Sequence, residues 1–386
     1  MKILHVCLSC FYIDNNSYQE NMLPKYHKVL GNEVEIIASH ENFDINGKKT
    51  NFGSYKQYFN EHNIKVTRLD YSKLPLSKVF KKYINLKQHI EEFNPDIIFV
   101  HGSQFIDLKV IKKYCINNKN VKLYIDNHAD FSNSASNFMS KHILHSMIWR
   151  KNIKTIIPYT EKVYGVMPSR VDFLIDIYKV PAEKVDLLLM GVDDLEIIES
   201  KKRIDLNKTK ILNKYKIDDS DFVIVTGGKI DKAKPQIISL MKNLKDLGDS
   251  KIKLIIFGSV IEEMKNEFES LIDDNSIIFV GWLSPEETYD LLYLSNLVIF
   301  PGRHSVLWEQ VVGMGKPAIL KLWNGTEHIN PCNNIDFIID DKDDAYLRNL
   351  ILKYVNDSSY YHLKKKNALK AAEIFSYKKI AIKSIQ

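Results

Sequence analysis

The sequence has few cysteines, no long apolar run and little net charge, and each shortage argues against a class of protein. Four cysteines in 386 residues suit a reducing cytoplasm. No apolar run approaches the roughly eighteen residues of a membrane span, and the first residues alternate like a strand, unlike a signal peptide. The net charge is only +6, and no basic stripe with interleaved aromatic residues indicates nucleic acid as a partner. We therefore expect a cytoplasmic protein.

What the sequence contains is an alternation of short apolar runs with helical segments, which predicts an α/β fold with parallel sheets covered on both faces. A length of 386 residues is enough for two cores. In the first half the predicted strands cover residues 2–8, 33–38, 65–69, 96–100, 121–126, 154–157 and 185–190, and the predicted helices cover 18–30, 76–93 and 137–151.

A charged, weakly patterned segment at 194–208 indicates a domain boundary, and the alternation then begins again. Here the predicted strands cover residues 222–226, 253–257, 277–280, 297–300 and 337–339, and the predicted helices cover 236–247, 261–272, 286–294, 306–314 and 345–375, with a short amphipathic segment at 377–385. We predict domains at 1–195 and 196–372 and a terminal segment at 373–386.

The stretch 295–317 combines a strand, a polar turn and a helix start, which is an arrangement typical of anion sites. Arg303, His304 and Ser305 form the turn, and Glu309 follows on a mostly apolar helix. Glu309 is either an acidic residue that stabilises the first helical turn or a ligand-binding carboxylate. The sequence leaves both interpretations open at this point.

Several weak motifs in a consistent order resemble the retaining family 4 of GT-B glycosyltransferases. They are Gly31-Asn32-Glu33-Val34, Gly191-Val192-Asp193, the loop 228–234, Phe279-Val280-Gly281-Trp282, Glu309 with Gly313-Met314-Gly315-Lys316-Pro317, and Phe375-Ser376-Tyr377. The resemblance implies two doubly wound, Rossmann-like parallel-sheet domains that face a central cleft, with the terminal segment returning to the first domain. It also implies transfer of a sugar from a nucleotide-diphosphate sugar to a glycan or lipid-linked acceptor, in surface polysaccharide or glycoconjugate synthesis.

The resemblance also implies roles in the second domain, where the nucleotide sugar is a substrate and no cofactor or metal is expected. A UDP-sugar is favoured over a GDP-sugar. Glu309 would hold the ribose, while Arg303, His304 and Ser305 would meet the phosphates or the sugar. Gly228, Lys229 and Lys234 would lie at the diphosphate, and the two lysines would stabilise its developing charge during catalysis. The alternative is that the lysines and Arg303 are ordinary solvated residues.

In the first domain the resemblance indicates a strand-end histidine that faces the donor sugar. His128 is the catalytic candidate, and Asp130 would orient it. His101 follows another strand and is a second candidate, while Asn16 lies in the first loop. Each histidine has a structural alternative, and Asn16 is equally suited to capping the next helix.

Two departures from the family pattern leave other functions open. Relatives place an acidic residue eight positions before the ribose carboxylate, where this chain has Pro301; the loop is shorter here, so that His304 or Ser305 takes the corresponding place. The first loop also has no glycine pair. The alternatives are a GT-B nucleotide-sugar 2-epimerase and a non-catalytic partner subunit. The basic, amphipathic segment 138–151 favours either packing on the sheet or a peripheral contact with the cytoplasmic membrane face.

Overall fold

The computed structural model describes residues 1–43, 49–51, 56–130, 140–232, 235–249, 251–340 and 343–386. The chain divides into two compact units, one comprising Met1–Met190 with Tyr377–Gln386 and the other Gly191–Ser376. In the described part of the chain, no helix has both the length and the apolar character needed to cross a membrane.

The strands, in chain order, are β1 (Lys2–Cys7), β2 (Glu33–Ser39), β3 (Glu41–Phe43), β4 (Lys49–Asn51), β5 (Lys56–Phe59), β6 (Lys65–Leu69), β7 (Ile97–His101), β8 (Lys122–Asn127), β9 (Lys162–Gly165), β10 (Val185–Leu187), β11 (Phe222–Ile230), β12 (Ile252–Val260), β13 (Ile277–Gly281), β14 (Leu297–Phe300), β15 (Ala318–Lys321) and β16 (Ile335–Ile338).

The α-helices are α1 (Gln19–Val29), α2 (Leu86–Phe93), α3 (Leu108–Asn117), α4 (Arg150–Lys154), α5 (Pro168–Asp176), α6 (Asp194–Lys214), α7 (Gln236–Leu247), α8 (Glu262–Leu271), α9 (Pro285–Leu294), α10 (Leu307–Gly313), α11 (Asp344–Asn356), α12 (Ser358–Ala372) and α13 (Tyr377–Lys383), and a π-helix covers Ser140–Trp149.

The first unit is built on one sheet with the strand order β10-β9-β8-β7-β1-β2-β6-β5, in which only the edge strand β5 runs antiparallel to its neighbour. Its central strands are buried along nearly their whole length because helices cover both faces. On one face α13 packs beside α1, where the rings of Tyr26 and Tyr377 stack with their centroids 6.1 Å apart. The terminal helix is therefore part of the core of the first unit.

The second unit is built on a fully parallel sheet with the strand order β13-β12-β11-β14-β15-β16. Local signals account for two of its helix boundaries. Ser284 and Glu287 form a reciprocal capping box at the start of α9, and Gly248 ends α7 with φ +61. The prediction of two parallel α/β sheets is confirmed.

Two predicted elements of the first half are wrong in extent or type, and a third is observed over most of its length. The helix predicted at 76–93 begins only at Leu86, because Leu76, Lys81 and Asn85 have positive φ values that interrupt a right-handed helix. The strand predicted at 154–157 is the end of α4 and a short 3-10 turn, and the real strand is β9. The helix predicted at 137–151 is observed from Ser140, and residues 137–139 lie outside the described part.

The segment 194–208, which we interpreted as weakly patterned, is also helical. It forms most of α6, whose first turn is capped by the side chain of Asp193. Arg203 on this helix forms a salt bridge to Asp290 on α9 at 2.7 Å. Only Ser200 and Ile204 of α6 are buried, so the helix has no broad apolar stripe and apolar periodicity does not predict it.

Candidate functional site

The second sheet has a topological switch point between β11 and β14, where the strand order reverses. β11 pairs with β14 only through Ile224 and Val225, but it stays paired with β12 as far as Ile230. In open α/β sheets ligands bind in the crevice at the carboxyl ends of the strands beside such a point. The motif residues at 228–232 lie at the end of β11 and after it, and those at 303–305 follow β14, so both groups lie beside this switch point.

The glycines beside this switch point allow β11 and β12 to approach closely. Gly228 and Gly258 are register partners with φ values of +106 and +118. A Cβ atom on Gly258 would lie 1.9 Å from the carbonyl oxygen of Gly228. Lys229 follows on the exposed end of β11, and Lys234 lies outside the described residues. The structure therefore places Gly228 and Lys229 at the sheet edge and leaves their contact with a diphosphate as a prediction.

Glu309 lies in the first turn of α10, and its side chain is fully buried. Its Oε1 atom accepts hydrogen bonds from Nε2 of His304 at 2.8 Å and from Nε2 of His328 at 3.0 Å. His304 comes from the turn after β14, and His328 comes from a 3-10 turn after β15. Three loop and helix segments at one sheet edge thus converge on one carboxylate.

Electrostatics keep this buried carboxylate ionised. Burial raises the pKa of Glu309, but the attraction and hydrogen bonds of His304 and His328 outweigh burial and lower the pKa to about 2. The second oxygen, Oε2, has no hydrogen-bond partner among the described residues, and the same holds for Nδ1 of His328 and Nε1 of Trp308. These are buried polar atoms of the kind that a ligand can satisfy.

The rest of the polar turn is less enclosed. Arg303 is exposed and Ser305 is half-buried, while the indole nitrogen of Trp323 donates to the carbonyl oxygen of Gly302 at 3.1 Å and fixes the start of the turn. Arg303 and Ser305 are thus available to a ligand at this edge. Their assignment to phosphate or sugar stays a prediction.

In the first unit the sheet edge carries a second cluster, formed by His101, Asp126 and His128. Nδ1 of His101 lies 2.8 Å from Oδ2 of Asp126, and Nε2 of His128 lies 3.3 Å from Oδ1 of the same carboxylate. The backbone N–H of Gly102 donates to Oδ1 at 3.0 Å. Asp126 therefore joins the two histidines that the sequence suggested separately.

The negative charge of Asp126 and the positive charge of the histidines stabilise each other within this cluster. Burial lowers the pKa of His101, but the charge of Asp126 outweighs burial and raises it to about 9, while His101 and His128 hold the pKa of Asp126 well below its usual range against burial. The ligand-type atoms of the three residues lie within 4.8 Å of one another, a spacing that a metal ion also accepts. Since the 2.8 Å hydrogen bond already joins two of them, we assign no metal ligand here.

Two other predicted residues of the first unit lie in different surroundings. Oδ2 of Asp130 accepts from Nε of Arg170 at 3.2 Å, so this carboxylate has a cationic partner of its own. Asn16 is half-buried in the loop before α1, whose N-cap position is Tyr18 and has no side-chain cap. The interpretation of Asn16 as a helix cap is therefore wrong, and its contact with substrate stays a prediction.

Sequence reasoning missed Asp126 as a site residue and missed His328 altogether. Asp126 follows an apolar strand directly, and this position was a usable signal. His328 has none, because it lies nineteen residues after Glu309 in a loop without a motif, and only the fold brings it to the carboxylate.

No family model and no curated protein sequence matches this chain. Solved structures are similar to it over nearly their whole length. A glycosyltransferase from Rickettsia africae matches with a TM-score of 0.66 at 16% identity, covering 99% of this chain and 96% of that chain. HepE of Anabaena, in complex with UDP, matches with a TM-score of 0.61 at 16% identity, covering 99% and 98%.

UDP-GlcNAc 2-epimerase from Neisseria meningitidis, bound to UDP-GlcNAc, matches with a TM-score of 0.63 at 14% identity, covering 100% of this chain and 99% of that chain. Identities this low establish the fold alone. The chain therefore has the GT-B fold, with two Rossmann-like units built on parallel sheets.

Proposed function

We propose that this protein transfers a sugar from a nucleotide-diphosphate sugar, preferably a UDP-sugar, to a glycan or lipid-linked acceptor. The GT-B fold supports the proposal, and so do the similar structures that hold UDP or UDP-GlcNAc. The motif resemblance adds the finer expectations of a family 4 enzyme, retention of anomeric configuration and a role in surface polysaccharide or glycoconjugate synthesis.

The observation that carries the proposal is the buried carboxylate of Glu309 at the switch point of the second sheet. Its Oε2 has no hydrogen-bond partner in the described part of the protein. A buried polar atom without a partner costs about 1–3 kcal/mol, and a ribose hydroxyl is a donor that satisfies it. Because Glu309 is fully covered, the groups around it must shift before a nucleotide reaches this oxygen.

The proposed chemistry needs positive charge where the diphosphate departs. Lys229 at the exposed end of β11 supplies one charge, and Arg303 in the turn after β14 supplies another. Lys234 belongs to the same proposal through the motif. Fixed cations and backbone amides then replace a metal ion in stabilising the leaving group.

His128 is proposed to hydrogen-bond the donor sugar. Asp126 orients its ring from one side, and the ring is partly exposed on the other. In a retaining reaction His128 binds a hydroxyl and takes no proton from the acceptor. An inverted product that disappears in His128→Ala would make His128 the general base and would contradict the family 4 interpretation.

A second candidate function is epimerisation of the nucleotide sugar, which the likeness to the Neisseria enzyme favours. The two reactions differ in their requirement for an acceptor. An epimerase converts a UDP-sugar with no second substrate, whereas a transferase releases UDP only as the sugar moves to an acceptor or to water.

The experiment combines binding with product analysis. We expect calorimetry to show tighter binding of UDP and UDP-sugars than of GDP and GDP-sugars, and NMR to show a new glycosidic bond with retained configuration in excess EDTA. Lys229→Ala should weaken the binding of UDP more than the binding of uridine. Lys232 is an exposed lysine of the same loop, and Lys232→Ala should leave both affinities unchanged.

Each part of the proposal has an outcome that contradicts it. Epimerised product without acceptor selects the second candidate. Activity that EDTA abolishes and Mg²⁺ restores overturns the metal-free mechanism. Binding of nucleotide without any turnover selects a non-catalytic subunit.

A further inference from the structure

Three fully buried histidines in the first unit form a line that the proposed function does not use. His27 lies on α1, His5 on β1 and His101 on β7. Nδ1 of His27 is 3.0 Å from Nε2 of His5, and Nδ1 of His5 is 3.0 Å from Nε2 of His101. The line continues from Nδ1 of His101 to Asp126 at 2.8 Å.

Both ends of the line are hydrogen-bond acceptors. At one end is the carboxylate of Asp126. At the other end Nε2 of His27 lies 3.0 Å from the backbone carbonyl oxygen of Ala381 on α13. A carbonyl oxygen cannot donate, so the proton of this bond must belong to His27.

Counting protons along the line gives a definite result. The line has four hydrogen bonds, and each requires one proton. Three neutral imidazoles carry three N–H protons in total. A fourth proton is therefore needed, and the pair formed by His101 and Asp126 is the place where a positive ring gains a negative partner.

We propose that this line, which we call the histidine chain, holds one extra proton on His101 beside Asp126. The Ala381 carbonyl on α13 sets the direction of its hydrogen bonds. The histidine chain thereby positions Asp126 and His128. His5 and His27 are then neutral and carry their protons on Nε2. His101 is doubly protonated.

The electrostatic surroundings agree with this distribution. Besides Asp126, the titratable groups around His101 are His5 on β1, Cys7 at the end of β1 and Glu20 on α1, and the carboxylate of Glu20 favours the charged form of His101. Burial lowers the pKa of His27 to about 4 despite the Ala381 carbonyl, and burial with the neighbouring histidines lowers that of His5 well below its usual value. The charge is therefore favoured on His101 and disfavoured on the other two rings.

Ser384 offers the alternative to the proposal. Its hydroxyl lies 3.0 Å from Nε2 of His27 and 2.8 Å from the carbonyl oxygen of Ala381. If the hydroxyl donated to His27, the two bonds between the rings would reverse, His101 would still donate to Asp126, and three neutral rings would suffice. The Ala381 carbonyl would then face a lone pair of His27 and lose the Ser384 proton as well, so the geometry favours donation by His27.

The consequence for the sheet edge is a fixed carboxylate. With Oδ2 held by His101, the other oxygen of Asp126 faces the Gly102 amide and the ring of His128. His5, His27 and His101 are therefore positioning residues for His128. Only this last step rests on the proposed function, because the proton distribution exists without substrate.

The test is NMR of the full chain labelled with ¹⁵N-histidine, without any ligand, at pH 7. Ring ¹⁵N shifts distinguish the two neutral tautomers from the doubly protonated ring. We expect neutral Nε2–H rings for His5 and His27 and a doubly protonated His101. An Nδ1–H tautomer at His5 or His27, or a neutral His101, would overturn the proposal whether or not the protein is a glycosyltransferase.

Variants test the direction of the chain. His27→Gln preserves it, since the Gln amide can donate to Ala381 and accept from His5, and His101 should stay charged at pH 7. His27→Leu removes both bonds and should lower the midpoint of the His101 titration by at least about one pH unit. Ser384→Ala is a mild change that should leave His101 charged. If Ser384→Ala alters the tautomers, the serine is the donor and the proposal is wrong.

Discussion

At the scale of single residues, Glu309 shows how a motif and a fold contribute differently to a site. The sequence pointed to Glu309 and His304 separately, and the structure shows that His304 and the unpredicted His328 both bond to this carboxylate and keep it ionised. We predict that Glu309→Ala weakens UDP binding by about one to two orders of magnitude, because a hydrogen bond to a charged group contributes roughly 1.5–3 kcal/mol. Calorimetry measures this directly.

The matched control for this prediction is Glu327→Ala, which removes an exposed carboxylate one residue before His328. It should leave the affinity for UDP unchanged. Glu309→Gln should lie between the two, since the amide oxygen still accepts a hydrogen bond but carries no charge. An unchanged affinity in a folded Glu309→Ala protein would remove Glu309 from the nucleotide site.

At the scale of elements, the close pairing of β11 and β12 shapes the sheet edge. We predict that Gly258→Ala lowers the free energy of unfolding of the second unit by more than about 2 kcal/mol. The new Cβ atom would clash with the Gly228 carbonyl, and alanine would also have to adopt the positive φ of this position. Gly248→Ala is the control: its φ is +61, but its Cβ would meet nothing within 4 Å, so it should cost only about 1–2 kcal/mol. Urea unfolding compares the two, and equal costs would show that backbone strain alone acts at Gly258.

The same scale shows how far the sequence predicts the fold. Helix α7 and strand β14 have their predicted bounds, because a glycine cap or a Pro-Gly break marks their ends. Strand β9 was missed because the neighbouring segment 154–157, which joins the end of α4 to a 3-10 turn, contains two isoleucines and resembles a strand. Apolar content predicts burial, and it does not by itself distinguish a buried helix turn from a strand.

The residues of the candidate site also divide into those that the sequence predicts and those that only the fold reveals. His101 and His128 could be selected because each lies at the end of a strand, and Glu309 because it lies in a motif at the start of the helix that follows β14. His5 and His27 could not, since each lies within an element and reads as an ordinary core position. Their importance depends on the register of β1 with β7 and on the packing of α1 with α13, which no local pattern encodes.

At the scale of the whole molecule, the two units should respond oppositely to alkaline pH. His101 has a raised pKa of about 9, so its contribution to the first unit is complete below the unfolded value near 6.5 and is lost as pH rises through 9. Burial lowers the pKa of Lys316 to about 7, so the second unit gains stability as pH rises from 7 towards 10.5. Each contribution is on the order of several kcal/mol.

Hydrogen exchange of the central strands, corrected for the intrinsic rate at each pH, measures both units in one sample. Between pH 6.5 and 9 protection should fall in β1 and β7 and rise in β11 and β14. Lys316→Met should abolish the rise and leave the fall unchanged. A change of the same sign in both units would contradict the assignment of these two groups.

The position of α13 has a consequence for synthesis on the ribosome. The first unit takes its last helix from residues that follow the entire second unit in the chain. Tyr377, Ile380 and Ala381 belong to its core, and Ala381 closes the histidine chain. The N-terminal half therefore emerges first but cannot complete its core until Tyr377–Lys383 has left the exit tunnel, whereas the second unit is continuous and can finish folding before it.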